Sequence, residues 1–373
     1  MKKEKFIPVS LPDVTGNEKK YLNECIDTGW VSSIGSFVQR FEEEFAAFCH
    51  QPFGVSVNNG TAALHLALRA LDVGPGDEVI LPALTFPSTA NVILYLGATP
   101  VFADCQADNW NIDPDQITEL ITTNTKAIMP VHLYGLPCAM DKIMALAEKH
   151  NLMVVEDCAE AHGATYNNKP VGSFGTINCF SFFGNKIITT GEGGICVTSD
   201  PDLQNRLSVL RDHGMDKKRR YWHNDIGYNY RMTNLQAAVG CAQLERIHTF
   251  IEKKRWVHKQ YNTRLADTGC LLPDDIPPAK SVFWLYTLLL PEGTEARQRD
   301  ELIKHLADEN IDSRPVFYPV PDMPPYKMFT RPLPNAARIS KRGITLPSHQ
   351  SLSESDIERI CQQIRYWLHK TMP

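Results

Sequence analysis

From about residue 54 to 200, short apolar runs alternate with longer stretches of three- and four-residue apolar spacing, and no other feature restricts the fold as much. The runs "GVSV" at 54, "DEVIL" at 77, "TPVFA" at 99, "KAIMPV" at 126, "LMVVE" at 152, "CFSF" at 179 and "GGICVT" at 193 have strand length. Between them, "TAALHLALRAL", "PSTANVILYLG", "DPDQITELITT" and "MDKIMALAEKH" have helical periodicity. Parallel strands need a crossover, usually a helix, so the pattern predicts βα units on a mostly parallel sheet covered on both faces. The fold class is α/β.

Ahead of this core, "TGNEKKYLNECIDTG" reads as a helix opened by a capping box of Thr15 with Glu18 and closed at Gly29. After it come the helix "DPDLQNRLSVLRDHG" and a long helical stretch from about 233 to 267 that carries the chain out of the first domain. The Pro-containing "CLLPDDIPPAKSV" follows as a linker. Beyond it, "FWLYTLLL" reads as a strand and "RDELIKHLADENI" and "SESDIERICQQIRYWLHK" as helices, giving a smaller α/β domain. The expected division is 1–250 and 251–373. "RPVFYPVPDMPPYKMFTRPLP" is too rich in proline for regular structure, and a long irregular segment in a compact domain is more often functional than idle.

Several function classes are excluded early. A net charge of −5 gives no global reason to bind nucleic acid or an anionic membrane. "MKKEKFIPVSLPDVTGNE" has too short and too interrupted an apolar part for a signal peptide, and no apolar run reaches spanning length, so a cytoplasmic protein is expected. The ten cysteines show no CxxC spacing and the histidines no HExxH, so a metal centre is not expected.

Three constellations carry candidate chemistry. In "VNNGTAALHLAL" a strand ends at Asn58, Asn59 and Gly60 and a helix begins at Thr61, which is either a plain βα turn or a phosphate site built from helix N-terminal amides. Neither GxGxxG after a strand nor a Walker lysine is present, which disfavours dinucleotides and adenine nucleotides. In "LMVVEDCAEAHG" a strand ends in Glu156 and Asp157, with Glu160 a turn later; ligands lie at such carboxyl ends, although the same residues suit a solvated turn. In "FSFFGNKIITTGEGG", Ser181 and Lys186 flank "FFGN". Alone, Lys186 reads as a solvated charge; held among aromatics it loses its proton more readily and becomes a candidate Schiff-base amine. Pyridoxal 5'-phosphate needs a phosphate cup, a carboxylate at its ring nitrogen and a flat cover. Thr61 with Ser181, Asp157, and Phe86 of "LTFPSTA" could supply them.

The chain resembles the DegT/DnrJ/EryC1/StrS aminotransferases, of PLP fold type I, over essentially its whole length. The motifs that carry the likeness are "NNGTAAL", "GDEVILPALTF", "PVHLYG", "EDCAEAHGA", "GSFGTINCFSFFGNKIITTGEGG", "GYNYRMTNLQAA" and "LPSH". The resemblance implies that residues 1–250 form the PLP-binding domain and that Lys186 is the catalytic lysine holding the cofactor. It also implies that Asp157 keeps the pyridine nitrogen protonated, that Gly60, Thr61 and Ser181 form the phosphate cup, and that Phe86 stacks on the ring. Asn229 matches a residue that reaches the phosphate from the neighbouring subunit, so a homodimer with shared sites is implied. Glu160 stands beside the cofactor where many relatives carry Gln or His.

That Glu, with Gly184 and Asn185 before the lysine, "KRRYWHNDIGYNYRMTN" and "SRPVFYPVPDMPPY", resembles one branch in particular. Its members use L-glutamate to aminate C4 of GDP-4-keto-6-deoxy-D-mannose, toward O-antigen sugars of lipopolysaccharide. The nearest rival is an aminotransferase for a UDP- or dTDP-linked 4-keto-6-deoxy sugar. A PLP-dependent sugar dehydratase, which carries His at the lysine position, and a non-catalytic PLP-binding regulator are further alternatives. The run Lys217 to Arg220 before "YWH" suits either a diphosphate and base or a solvated loop. Trp30, Arg219, Arg231 and Tyr318 are the candidate substrate contacts; His132 and His162 lie near the expected site as packing or hydrogen-bonding residues.

Overall fold

The computed structural model describes residues 5–371; the first four residues of the basic N-terminal stretch and the last two of the C-terminal segment lie outside them. All seven strand-length runs form strands: β1 (Phe53–Val57), β2 (Glu78–Pro82), β3 (Thr99–Ala103), β4 (Thr125–Ile128) and β5 (Met153–Asp157), then, after a small hairpin of β6 (Thr165–Tyr166) and β7 (Lys169–Pro170), β8 (Ile177–Ser181) and β9 (Gly194–Thr198). Their order in one sheet is β1-β9-β8-β5-β4-β2-β3. Only β9 runs against its neighbours, so β1, β2, β5 and β8 all end at the same edge. That edge is where loops can gather around a ligand.

Helices cover both faces of this sheet. They are α1 (Glu18–Thr28), α2 (Ser36–Phe48), α3 (Gly60–Ala70), α4 (Ser88–Tyr95), α5 (Pro114–Leu120), α6 (Met140–His150), α7 (Pro201–Leu210), α8 (Asn234–Leu244) and α9 (Ile247–Leu265). Helix α3 is buried from Ala62 through Leu68 because its sequence is apolar on every side. Its burial fixes its N-terminus at the edge where β1 and β8 end. Helix α2 has no counterpart in the sequence reading, although Phe37, Val38, Phe41 and Phe45 mark a buried helical stripe. Phe41 and Phe45 pack edge-on against Phe182, just after β8, and so support the segment that leads to Lys186.

Two expected details differ. The Thr15–Glu18 capping box does not form: α1 starts after Asn17, and the Thr15 hydroxyl donates to Asp13 at 2.6 Å. Gly29 does close the helix in the left-handed region, at φ 74°. The long helical stretch from 233 breaks between α8 and α9. There Glu245 accepts from Asn17, Tyr21 and Arg40 while Arg246 pairs with Asp13, and both side chains are drawn to the N-terminal segment.

The remaining elements are β10 (Ala279–Lys280), which joins the β6–β7 hairpin, then β11 (Tyr286–Leu289), α10 (Ala296–Asp308), β12 (Arg314–Pro315), α11 (Pro334–Arg342), β13 (Gly343–Leu346) and α12 (Glu354–Thr371). Strands β11, β13 and β12 form an antiparallel sheet. A hydrophobic cluster of its own joins α9 to this sheet, α10 and α12 through Tyr261, Tyr286, Leu302, Ile344 and Ile360. Ile7 enters the same cluster by bridging Ile311. The Pro-rich segment stays largely irregular, with two short 3-10 turns, Val320–Asp322 and Pro324–Phe329. Among the described residues no helix is long and apolar enough to cross a membrane.

Candidate active site

A cavity of about 690 Å³ opens at the shared strand edge. Gly60, Thr61, Phe86, Asp157, Glu160, Ser181 and Lys186 all line it. They arrive from four places, the start of α3, the loop after β2, the end of β5 with its turn, and the end of β8 with the segment beyond, so the sheet topology assembles them.

The wall made by α3 and β8 is built for an anion. Asn59 caps α3, its side chain accepting from the Ala62 amide at 2.8 Å. The Gly60 and Thr61 amides, in the first turn, have no intrahelical acceptor. Glycine at 60 is required by contact: a Cβ there would stand 2.6 Å from the Ser181 Cβ. The two elements therefore close around a space lined by amides and the Ser181 hydroxyl.

The floor is acidic. Asp157, at the end of β5, is buried and accepts from the Ala159 amide at 3.0 Å. Burial raises its pKa above the usual carboxylate value, against the lowering by that amide, Lys186 and His132. A buried carboxylate in this state is complemented by a cation placed against it. Glu160 is also buried and accepts from the Tyr134 amide at 2.7 Å; burial pushes its pKa up to about 7. Behind the floor, Glu156 accepts from the Gly172, Phe174 and Gly175 amides at 2.7 to 3.0 Å and bonds His132 at 2.9 Å. Cys158 shares this buried cluster, and burial raises its thiol pKa. With Glu156 bonded to three amides and His132, the cluster braces the floor. His162 packs edge-on against Phe45 and near Phe180 and Phe182, and burial pushes its pKa down to about 3.

Lys186 is half-buried over an aromatic wall. Its Nζ sits 3.9 Å from the ring centroid of Trp284, and burial lowers its pKa while Glu160 and Asp157 raise it. Tyr134 stacks between Trp284 and Phe317, and Phe317 meets Phe86 edge-on at 6.0 Å. The Tyr134 hydroxyl accepts from the Phe317 amide at 3.0 Å. This wall runs from the cover, Phe86, to the lysine.

Trp284, Tyr134, Phe317 and Arg314 were not singled out from the sequence. "FWLYTLLL" read as one strand, but Phe283 takes a left-handed φ of 49° and β11 begins only at Tyr286, which leaves Trp284 facing the cavity. The signal for Phe317 and Arg314 was the Pro-rich segment as a whole.

Trp30, Arg219, Asn229, Arg231 and Tyr318 lie outside this chain's cavity lining. Trp30 and Tyr318 are about half exposed. Arg219 stacks on Trp222 at 4.0 Å in an exposed loop, Arg231 pairs with Asp212, and Asn229 is exposed beside that pair.

The residues present fit pyridoxal 5'-phosphate: an anion cup closed by Gly60 and Ser181, an under-partnered buried carboxylate at Asp157, and an amine of lowered pKa at Lys186. A family model described as the DegT/DnrJ/EryC1/StrS aminotransferase family matches residues 12–365. A protein of Caulobacter vibrioides described as GDP-perosamine synthase is 49% identical over 95% of this chain and 96% of its own. One from Escherichia coli O157:H7 with the same description is 48% identical over 96% of this chain and 98% of its own. Among solved structures, Streptococcus pneumoniae Spr1654 in a PLP form aligns with a TM-score of 0.94 at 30% identity, over 99% of this chain and 100% of that one.

Proposed function

The chain belongs to the DegT/DnrJ/EryC1/StrS aminotransferase family, and on that premise we propose that it is a GDP-sugar 4-aminotransferase using pyridoxal 5'-phosphate. It moves the amino group of L-glutamate to C4 of GDP-4-keto-6-deoxy-D-mannose, giving GDP-perosamine for O-antigen polysaccharide. The observation that carries this reading is the near-half identity, over almost the full length of both chains, to two relatives described as GDP-perosamine synthase.

Bound pyridoxal 5'-phosphate supplies a carbonyl that exchanges for an amino group and a ring that takes up the electrons left when a proton departs from carbon. The chain's own residues do the rest. The Gly60 and Thr61 amides and the Ser181 hydroxyl hold the phosphate. Asp157 holds the proton on the ring nitrogen, and a cation there relieves the burial cost that raises its own pKa. Phe86 covers the ring face and excludes water. Lys186 Nζ would hold the cofactor and, when free, would be the base that takes the proton from the carbon bearing the donor nitrogen and the acid that delivers one to C4 of the sugar. Its lowered pKa suits that exchange, since a base must be neutral to accept a proton. Glu160, buried on the same floor, would stand beside the cofactor.

Asn229 reaches the phosphate of a second subunit, which makes the working unit a homodimer. Trp30, Arg219, Arg231 and Tyr318 are the residues we assign to the nucleotide-sugar. The cofactor is carried by residues 1–250 and the smaller domain spans 251–373. The enzyme works in the cytoplasm.

The test is incubation with glutamate and, separately, GDP-, UDP- and dTDP-linked 4-keto-6-deoxy sugars, with products identified by mass. Amination of the GDP sugar is expected. Conversion of a UDP or dTDP sugar alone overturns the substrate assignment and leaves the aminotransferase assignment standing.

A further inference from the structure

Trp284 is held more firmly than packing requires. Only 3% of it is exposed, and its indole N–H donates at 2.7 Å to the carbonyl of Asn185, the residue before Lys186. Its backbone N–H donates to the Tyr134 carbonyl at 3.1 Å, and its own carbonyl accepts from the buried Lys254 ammonium at 2.8 Å. One ring face is stacked with Tyr134. The Lys186 amine lies 3.9 Å from the ring centroid. An aromatic face carries negative charge density, and its attraction for a cation grows where water is excluded.

We propose that Trp284 is a positioning residue: its indole face is the seat of the free Lys186 ammonium whenever that amine is not bonded to the cofactor, and sets how readily the amine gives up its proton. The proposal rests on the reading of Lys186 as the cofactor lysine. Asp157 and Glu160, from the end of β5 and the turn after it, also face this amine and favour its charged form; burial opposes them. The buried imidazole of His162 stands behind, held neutral. The carboxylates attract the charge from the floor, while the indole, tied to Asn185, gives it a fixed place.

The experiment is pH-dependent labelling of Lys186 by an amine-reactive reagent, read by mass spectrometry of its peptide, in full-length protein loaded with pyridoxamine 5'-phosphate so that the lysine is free. Trp284→Leu is expected to move the labelling midpoint down by about 1 pH unit, giving roughly tenfold faster labelling at a fixed pH below it. Trp284→Phe, which keeps an aromatic face, is expected to stay near the parent protein. Protein made with fluorinated tryptophans keeps the ring's shape and its N–H bond to Asn185 while draining negative charge from the ring face, so the midpoint should fall with each added fluorine even if Trp284→Leu does not fold. A midpoint unmoved through the fluorinated series overturns the seat. Lys186→Ala separates the two levels: if it still forms a reducible covalent adduct with pyridoxal 5'-phosphate, the cofactor-lysine reading itself falls; if it does not and the midpoint is still fixed, only the role of Trp284 falls.

Discussion

Gly60→Ala is the sharpest perturbation of the anion cup. The added Cβ would lie 2.6 Å from the Ser181 Cβ and 3.0 Å from its Oγ, where ordinary contact begins at 3.4 Å. Helix α3 and strand β8 must therefore part by roughly 1 Å or distort, and overpacking of this kind costs about 1–3 kcal/mol. Alanine's better helix propensity returns at most about 1 kcal/mol, so from the middle of that range a net loss of about 1 kcal/mol is expected. The cup also loses its closure, and a loss of about 1.4 kcal/mol in cofactor binding is tenfold in Kd. The assay is a denaturant midpoint on cofactor-free protein and an absorbance titration with pyridoxal 5'-phosphate. Ser181→Gly removes the atom that clashes, so in a double-mutant cycle it should restore most of the stability lost through Gly60→Ala. Wild-type values for Gly60→Ala in both assays, or a double variant whose losses simply add, would refute the steric account.

Two further predictions concern buried charge. Asp157→Asn keeps the shape of the floor but cannot hold a proton on the ring nitrogen; the protein should still bind cofactor and show its yellow colour, with turnover down by about 10²-fold or more. Near-normal turnover would remove Asp157 from that role. Lys254 is buried, which pushes its pKa down from 10.5 to about 7. Below pH 7 both states carry the proton and the burial penalty is complete; between about 7 and 10.5 the unfolded chain binds more protons, so stability rises with pH until the penalty is gone. Lys254→Met lacks this dependence, so its stability relative to the parent should be most favourable below pH 7 and should decline as pH rises toward 10.5. A pH-independent difference between their unfolding midpoints would contradict the assigned burial.

Much of the large sheet was legible because parallel strands buried on both faces read as plain apolar runs, and all seven are present. Less legible was what depended on partners distant in sequence. The break between α8 and α9 is made by the bonds of Glu245 and Arg246 to residues 13 to 40, and local periodicity continues straight through it. Helix α2, by contrast, carries its own local signal, a stripe of phenylalanines at helical spacing.

The sequence by itself determined the chemical inventory: a lysine after an aromatic run, carboxylates at a strand end, and a glycine and hydroxyl at a helix start. Those features are local, because each sits at a chain position whose strand or turn its neighbours specify. Only the tertiary structure decided what stands beside them. Trp284 lies 98 positions after Lys186, and Phe317 lies 183 after Tyr134, separations at which residue spacing carries no information about contact. The left-handed turn at Phe283, the ties from Lys254 and Asn185, and the stacking through Tyr134 bring the lysine and its aromatic wall together. The backbone bonds of Val282 and Trp284, just ahead of β11, to Gly135 and Tyr134, and the bridge of Pro319 in the Pro-rich segment to Leu84, make that choice.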